Sequence, residues 1–426
     1  MTTDADVVVI GAGIVGLATA RALIATRPSL TITVVDKEPR PAAHQSGHNS
    51  GVLHSGIYYR PGSHKARLCA AGRAELEAYC AEVGIPIEHC GKVIVATQRS
   101  ELEPLHALRE RGERNGLRVV PLDRRGLAEH EPHAEALAAL FVPATGVIDF
   151  RAVCQALAAE LTSCGVRLQL GCAVDAGEEQ TSAVILRTSD GELRCRRVVN
   201  CGGLHSDEIA RRAGIEPTVR IVPFRGEYVE VVPERAHLVR HLIYPVPDPR
   251  FPFLGVHLTR GIDGRVHGGP NAVLALAREG YRWSDLSARH LVDLGRNVAV
   301  WRLAARYWRT GVGEIARSLS RRLLLRDLRR LVPDLRAEDL TPAGSGVRAQ
   351  AVNRDGTLID DFAIARTPRA VHVLNAPSPG ATASLAIGAW LARLTLDDAT
   401  GPEPAASEQD VGERANERTD LRPPTG

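Results

Sequence analysis

The sequence predicts an α/β domain built on a parallel sheet, with a second, mostly antiparallel α+β domain interleaved within it. Three observations carry this reading. Short β-branched runs alternate with helical patterns near the N-terminus, as in a parallel α/β unit. A middle section, 220–259, has extended runs at 228–232 and 252–258, with closely spaced prolines and no helical pattern between them, which reads as a separate sheet. Two further apolar runs, ending in Asn200-Cys201-Gly202-Gly203 and in Asn375-Ala376-Pro377-Ser378-Pro379-Gly380, look like returns to the first sheet. The expected division is therefore discontinuous: 1–87, 145–215 and 341–397 in the first domain, and 88–144 and 216–340 in the second. Helices between about 272 and 340 would cap or flank the second domain. The stretch 398–426, rich in Pro, Gly and acidic residues without apolar periodicity, is expected to be a disordered tail.

Composition narrows the function classes. A chain of 426 residues with 44% hydrophobic and 24% charged residues has the ordinary balance of a folded globular protein, not of a fibrous or disordered one. A net charge of +3 gives no general case for nucleic-acid binding. Of 53 basic residues only three are lysines (Lys37, Lys65 and Lys92), a skew that reads as genomic composition bias. No apolar run reaches the ~18 residues of a membrane-spanning helix, and the chain opens on acidic Asp4 and Asp6 in place of a basic leader, so the expected location is cytoplasmic. The eight cysteines have no paired Cys-x-x-Cys spacing, and neither disulfides nor a metal site is expected.

The most informative motif comes first. Val7-Val8-Val9-Ile10 reads as a buried strand running into Gly11-Ala12-Gly13-Ile14-Val15-Gly16, followed by an Ala- and Leu-rich helix to about residue 25 and a second strand over 31–35 ending in Asp36. Gly11 permits the tight turn, Gly13 lets backbone N–H groups approach a pyrophosphate, and Gly16 lets helix and strand pack closely. Asp36, twenty positions after Gly16, stands where a carboxylate accepts ribose hydroxyls. Strand, glycines, helix, strand and acid in register specify a Rossmann-like dinucleotide site. Two features favour FAD over NAD: the small polar loop His44-Gln45-Ser46-Gly47-His48-Asn49-Ser50-Gly51, and the two downstream glycine returns, the second running through Ala381-Thr382 into a final helix. One ligand touched by segments spread over the whole chain is how a buried flavin is held.

From residue 7 to about 394 the chain resembles the FAD-dependent L-2-hydroxyglutarate oxidases and dehydrogenases, within the wider D-amino-acid-oxidase-like group. The resemblance is densest at Gly47-His48-Asn49-Ser50-Gly51-Val52-Leu53-His54-Ser55-Gly56-Ile57-Tyr58-Tyr59, Val222-Pro223-Phe224-Arg225-Gly226-Glu227-Tyr228, Ile243-Tyr244-Pro245-Val246-Pro247 and Val347-Arg348-Ala349-Gln350. It implies oxidation of the 2-hydroxy group of a small dicarboxylic acid, L-2-hydroxyglutarate, to the 2-oxo acid. An amino-acid oxidase, or a pathway-specific tailoring oxidase of the same fold, is the alternative. The flavin carries the redox chemistry, so the protein must supply orientation and charge.

For the base, His54 stands first because it follows the flavin-wrapping loop and imidazole titrates near ~6.5; His257, on the second sheet, is the rival. Arginine forks suit carboxylates, which nominates Arg348 and then Arg225, with Tyr244 and Tyr58 as hydroxyl donors and Arg60 and Lys65 as weaker neighbours. Cofactor contacts are expected from Gly11, Gly13, Gly16, Asp36, Lys37, His44, Gln45, Ser50, Gly51, Val174, Gly202, Gly203, Ser378, Pro379, Gly380, Ala381 and Thr382. A covalent flavin would need a nucleophile beside the ring, for which His44 and His48 are the sequence candidates.

The electron acceptor is not written in a motif. No second glycine fingerprint is present for a nicotinamide, which leaves oxygen, a quinone or a carrier flavoprotein. One region bears on the choice. Residues 301–330 carry nine arginines against Glu314 and Asp327, interleaved with Trp301, Tyr307 and Trp308, and such a basic amphipathic surface can lie peripherally on an anionic membrane. Ordinary surface helices with solvated arginines give the same pattern.

Overall fold

The computed structural model describes residues 3–248 and 254–397. The predicted tail, 398–426, lies outside them. Two large sheets organise the chain. The first has eight strands and is built around Ala5–Ile10, which pairs in parallel with Ile32–Asp36 on one side and with Gly191–Asn200 on the other. Arg167–Leu170 extends one edge in parallel. Ala370–Asn375 pairs in parallel with Gly191–Asn200 at Val198, Val199 and Asn200. The two glycine returns foreseen in the sequence thus meet side by side, next to the first strand.

Burial explains the order. Val7, Val9, Val34 and Val199 have almost no exposed surface, as expected of parallel strands covered on both faces. The helix Ile14–Thr26 covers one face with Leu17, Ala18, Ala20 and Leu23, and the helix Ser384–Leu396 packs on it through Ile387 and Leu391. Each of the leucine and isoleucine side chains contributes roughly 1.5–3 kcal/mol of burial free energy, and each alanine less. The two helices approach so closely that a Cβ on Gly388 would lie 2.5 Å from the carbonyl of Ala18.

The second sheet has nine strands and is antiparallel except where Leu242–Pro245 runs parallel to Lys92–Ala96. Its longest pairing joins Val219–Val231 to Leu340–Asn353. The sequence reading ended the second domain at 340; residues 341–353 belong to this sheet, because their long antiparallel register with Val219–Val231 fixes them there. The helices Ala288–Arg296, Val298–Leu319 and Arg321–Arg329 lie in the chain between the sheet strands Val273–Leu274 and Leu340–Asn353. A small three-stranded sheet links Val52–Leu53, Gly146–Ile148 and Ile87–Glu88.

Candidate active site

One cavity of about 1150 Å³ is lined by residues of both large sheets. Gly11, Gly13, Asp36, Lys37, His44, Gln45, Ser50, Val174, Gly202, Gly203 and 378–382 line it, as do His54, Tyr58, Tyr244, His257 and Arg348.

The glycine turn is built as its spacing requires. Gly11 has φ +108°, and a Cβ there would stand 2.5 Å from the Cys201 carbonyl oxygen. A Cβ on Gly16 would be 1.9 Å from the Gly11 carbonyl, so Gly16 serves helix packing and does not itself line the cavity. Ala12 N donates to Asp36 Oδ2 at 2.6 Å and Glu38 N to Oδ1 at 2.9 Å, which fixes the carboxylate while leaving lone pairs for further donors. Ile14 N, in the first turn of the helix, donates to Ser46 Oγ at 2.9 Å, and Ala349 N donates to Gln45 Oε1 at 2.9 Å. The polar loop is thereby tied to the first helix and to the second sheet. Gly51 shapes that loop from outside the cavity lining: it has φ +67°, and a Cβ would be 2.8 Å from the Ile148 carbonyl. Gly203 also has a positive φ, and a Cβ on Gly202 would meet Ile209 at 2.5 Å. A side-chain-free turn at a helix N-terminus, with an anchored carboxylate at the end of the next strand, fits the pyrophosphate and ribose of a dinucleotide.

Lys37 and His44 are engaged in a network that crosses between the sheets. The Lys37 ammonium donates to Glu38 and, at 2.7 Å, to Glu279, and lies 3.2 Å from His44 Nε2. His205 Nε2 is 2.9 Å from Glu279, and His44 Nδ1 is 2.9 Å from the Tyr281 hydroxyl. Burial would raise the Glu279 carboxyl, but hydrogen bonds from His205 and Lys37 hold it at about 2. Glu38, His44 and Glu279 converge closely enough to hold a metal ion, yet the Lys37 cation already sits among all three.

At the other wall two imidazoles share a positive environment. Burial, then the charges of Lys92, His257, Arg348 and Lys65, push His54 down to about 3. Burial likewise lowers His257 to about 4, against the opposing hydrogen bond to the Gly255 carbonyl and with help from Arg348 and Lys92. Both rings are therefore neutral near pH 7. His257 Nδ1 lies 2.9 Å from the Gly255 carbonyl oxygen, which assigns the N–H to Nδ1 and leaves Nε2 with its lone pair. His54 Nε2 is 3.3 Å from the Ser378 hydroxyl, and its backbone N–H donates to Thr382 Oγ1 at 3.1 Å. The Tyr244 ring lies 4.0 Å from that of His257, and the buried Tyr58 hydroxyl has no hydrogen-bond partner among the described residues. Burial raises the Tyr58, Tyr228 and Tyr244 hydroxyls, so each remains a donor at neutral pH.

Arg225 is a correction. It is fully buried but does not line the cavity; its guanidinium lies 4.3 Å from the Trp283 ring centroid and 3.1 Å from Glu227. Strand alternation explains this, since Gly226 and Tyr228 line the cavity at this end of the strand, while Arg225 and Glu227 hold the alternate positions and face away from it. Arg60 is exposed and also stands outside the lining; Lys65 lines the cavity, paired with Asp360 at 2.8 Å. Sequence reasoning did not assign Tyr228, Ser46, Glu279 or Lys92 a role. Tyr228 and Ser46 lay inside motifs it singled out, and Lys92 was marked only by being one of three lysines.

The FAD dependent oxidoreductase (DAO) family matches residues 6–394. L-2-hydroxyglutarate dehydrogenase of Indibacter alkaliphilus is 45% identical over 397 residues, covering 92% of this chain and 99% of that protein. The protein of the same name from Escherichia coli K12 is 45% identical over 387 residues (91% and 92%), and the human mitochondrial one 43% over 409 residues (92% and 88%). Among solved structures, L-alpha-glycerophosphate oxidase from Mycoplasma pneumoniae, with FAD bound, superposes with a TM-score of 0.74 at 22% identity, covering 92% of this chain and 95% of that one. Glycine oxidase from Geobacillus kaustophilus does so with a TM-score of 0.70 at 20% identity (94% and 96%). These two likenesses speak to the fold.

Proposed function

This chain belongs to the FAD dependent oxidoreductase family, and from that premise we propose that it oxidises the 2-hydroxy group of L-2-hydroxyglutarate to give 2-oxoglutarate. FAD is its cofactor. Its curated relatives at about 45% identity over nearly their full length carry the name of that activity. Gly11, Gly13 and the head of the helix Ile14–Thr26 would hold the pyrophosphate, and Asp36 the ribose. The bound flavin supplies the acceptor for the hydride that leaves C2.

What this chain must add is a base and a binding site for charge. The observation that carries the reading is a pair of neutral imidazoles, His54 and His257, lining one cavity with Arg348, Tyr58, Tyr228 and Tyr244. Arg348 receives a substrate carboxylate through its planar fork, and the Tyr58, Tyr228 and Tyr244 hydroxyls donate to the remaining oxygens. The sequence put His54 first as base. The hydrogen bonds favour His257, because the Gly255 carbonyl holds the N–H on Nδ1 and so leaves Nε2 to take the hydroxyl proton. Arriving carboxylates offset the positive neighbours that depress both rings, so substrate binding itself strengthens the base.

The test is an anaerobic titration with L-2-hydroxyglutarate, its D-isomer, L-malate and L-glutamate, following the oxidised-flavin absorbance. Bleaching by the L-hydroxy acid alone is expected. Bleaching by L-glutamate in its place would move the chain to the amino-acid oxidases.

For the acceptor we favour a quinone over oxygen or a carrier flavoprotein, on the strength of one surface. Among the described residues no helix is long and apolar enough to cross a membrane. The helix Val298–Leu319, kinked at Tyr307, nevertheless leaves Trp301 (63% exposed), Trp308 (59%) and Leu319 (72%) on the outside, as it does Val312 and Ile315, with Arg302, Arg306 and Arg309 also exposed. Apolar anchors flanked by cations suit an anionic bilayer surface. Sedimentation with vesicles should depend on anionic lipid and be lost in Trp301→Glu/Trp308→Glu; a protein that ignores such vesicles would leave the quinone reading without support.

A further inference from the structure

We propose that Lys92 is a positioning residue for substrate charge: an internal ammonium behind the Tyr58 and Tyr244 rings that joins Arg348 in selecting a dicarboxylate over a monocarboxylate. The inference rests on the reading of the site given above and names what in it recognises the second carboxylate.

Lys92 opens the strand Lys92–Ala96 and is 1% exposed. Its Nζ lies 4.4 Å from the Tyr58 ring centroid and 5.0 Å from that of Tyr244, the two tyrosines that wall the cavity. Among the described residues it forms no ion pair with a carboxylate. Two ring faces compensate a desolvated ammonium only in part, so this charge costs stability where it stands. A chain that places arginine at nearly every basic position keeps lysine at three, and all three belong to this cavity: Lys37 and Lys65 line it, and Lys92 stands behind its wall. Lysine differs from arginine in being able to give up its proton when buried.

The surroundings are charged in one direction. The groups facing Lys92 or acting with it are Cys69, whose thiol burial pushes up to about 12, His54 and His257, which are neutral, and Arg348. Two carboxylates line the cavity on the neighbouring segments. Asp360 is paired with Lys65 and its side chain is 98% exposed, and Asp248 is four residues beyond Tyr244. A monoanion can engage Arg348 alone. A dianion also meets the field of Lys92, at the short range and low polarity where one charge matters. Burial lowers Lys92 to about 7, so in the free enzyme this second charge is present below that pH and fades above it.

The experiment measures binding of two non-reacting acids of equal chain length, glutarate and pentanoate, by the flavin absorbance change in the holoenzyme, for wild type and Lys92→Met. Wild type should prefer glutarate, and the preference should fall as pH rises through about 7. In Lys92→Met the preference should drop about tenfold, become flat across that range, and be accompanied by a higher melting temperature at neutral pH. Lys92→Arg should restore the preference without the alkaline decline. An unchanged glutarate-to-pentanoate ratio in Lys92→Met overturns the proposal. Should the variants fail to fold, a wild-type preference that is flat with pH overturns it equally. Failure of L-2-hydroxyglutarate to bleach the wild-type flavin would count against the functional reading and leave the glutarate comparison standing.

Discussion

At the scale of single residues, the site is governed by the cost of burying charge. His257 and His54 pay it by staying neutral, which has a testable consequence for pH. A base with a folded value near 4 is deprotonated throughout the range above it, so kcat/KM for L-2-hydroxyglutarate should show no decline from about pH 7 down to about pH 5. An unperturbed imidazole would impose a decline starting near ~6.5. Replacing His257 by Asn removes the lone pair that the Gly255 contact presents, and kcat should fall by roughly 10²- to 10⁴-fold with flavin content unchanged. His54→Asn should cost less; if it costs more, the order of the two histidines reverts to the one the sequence suggested. The sequence does not carry this ordering for a physical reason: the tautomer of His257 is set by a carbonyl two residues back, and that depends on how the strand entry bends.

Elements show where local pattern suffices and where it stops. The stretch from Ala5 to Asp36 was legible because each step is short-range: apolar strand, glycine turn, helix, strand, acid. The second sheet was legible as a kind but not as a pairing. Lys92–Ala96 lies beside Leu242–Pro245, some 150 residues away in sequence, and nothing in either run specifies that partner. Arg225 was misassigned for a related reason, since facing depends on the strand's register and not on motif membership. The contact between Ile14–Thr26 and Ser384–Leu396 was equally hidden, although Gly388 was there to be seen. Its missing Cβ is what lets the helix seat on the Ala18 backbone, whose carbonyl an added Cβ would meet at 2.5 Å. Gly388→Ala should therefore destabilise the protein by about 1–3 kcal/mol, read as a lower melting temperature. Activity at low temperature should be retained, because the cavity lining at the heads of these helices, Ile14 and 378–382, lies about a turn or more from the Gly388–Ala18 contact; a variant that melts like wild type would mean the helices slide apart at no cost.

For the whole molecule, the sequence made the discontinuity of the first sheet visible through its three glycine segments, but not what clamps the two sheets around the cavity. That clamp includes a buried ion pair. Arg278 belongs to the segment that follows the second-sheet strand Val273–Leu274, and its guanidinium donates to Asp207 Oδ1 at 2.6 Å and Oδ2 at 3.2 Å, beside the first sheet. Asp207, on the helix Ser206–Arg212, also accepts from Ile221 N at 3.2 Å, so one carboxylate ties that helix to both the segment and the long strand. Glu279 follows immediately and carries the Lys37–His205 network across the same junction. Removing one partner of a buried pair leaves the other charge stranded, at a cost of about 3–5 kcal/mol. Arg278→Met should accordingly lower the melting temperature and speed flavin loss on dialysis, because the segment 275–287 would no longer be pinned over the cavity it lines. Adding Asp207→Asn should return part of the stability by removing the stranded charge, while flavin retention stays poor because the clamp remains open. If the double variant instead held its flavin as firmly as wild type, the junction would be secured by the Glu279 network and not by the Arg278–Asp207 pair.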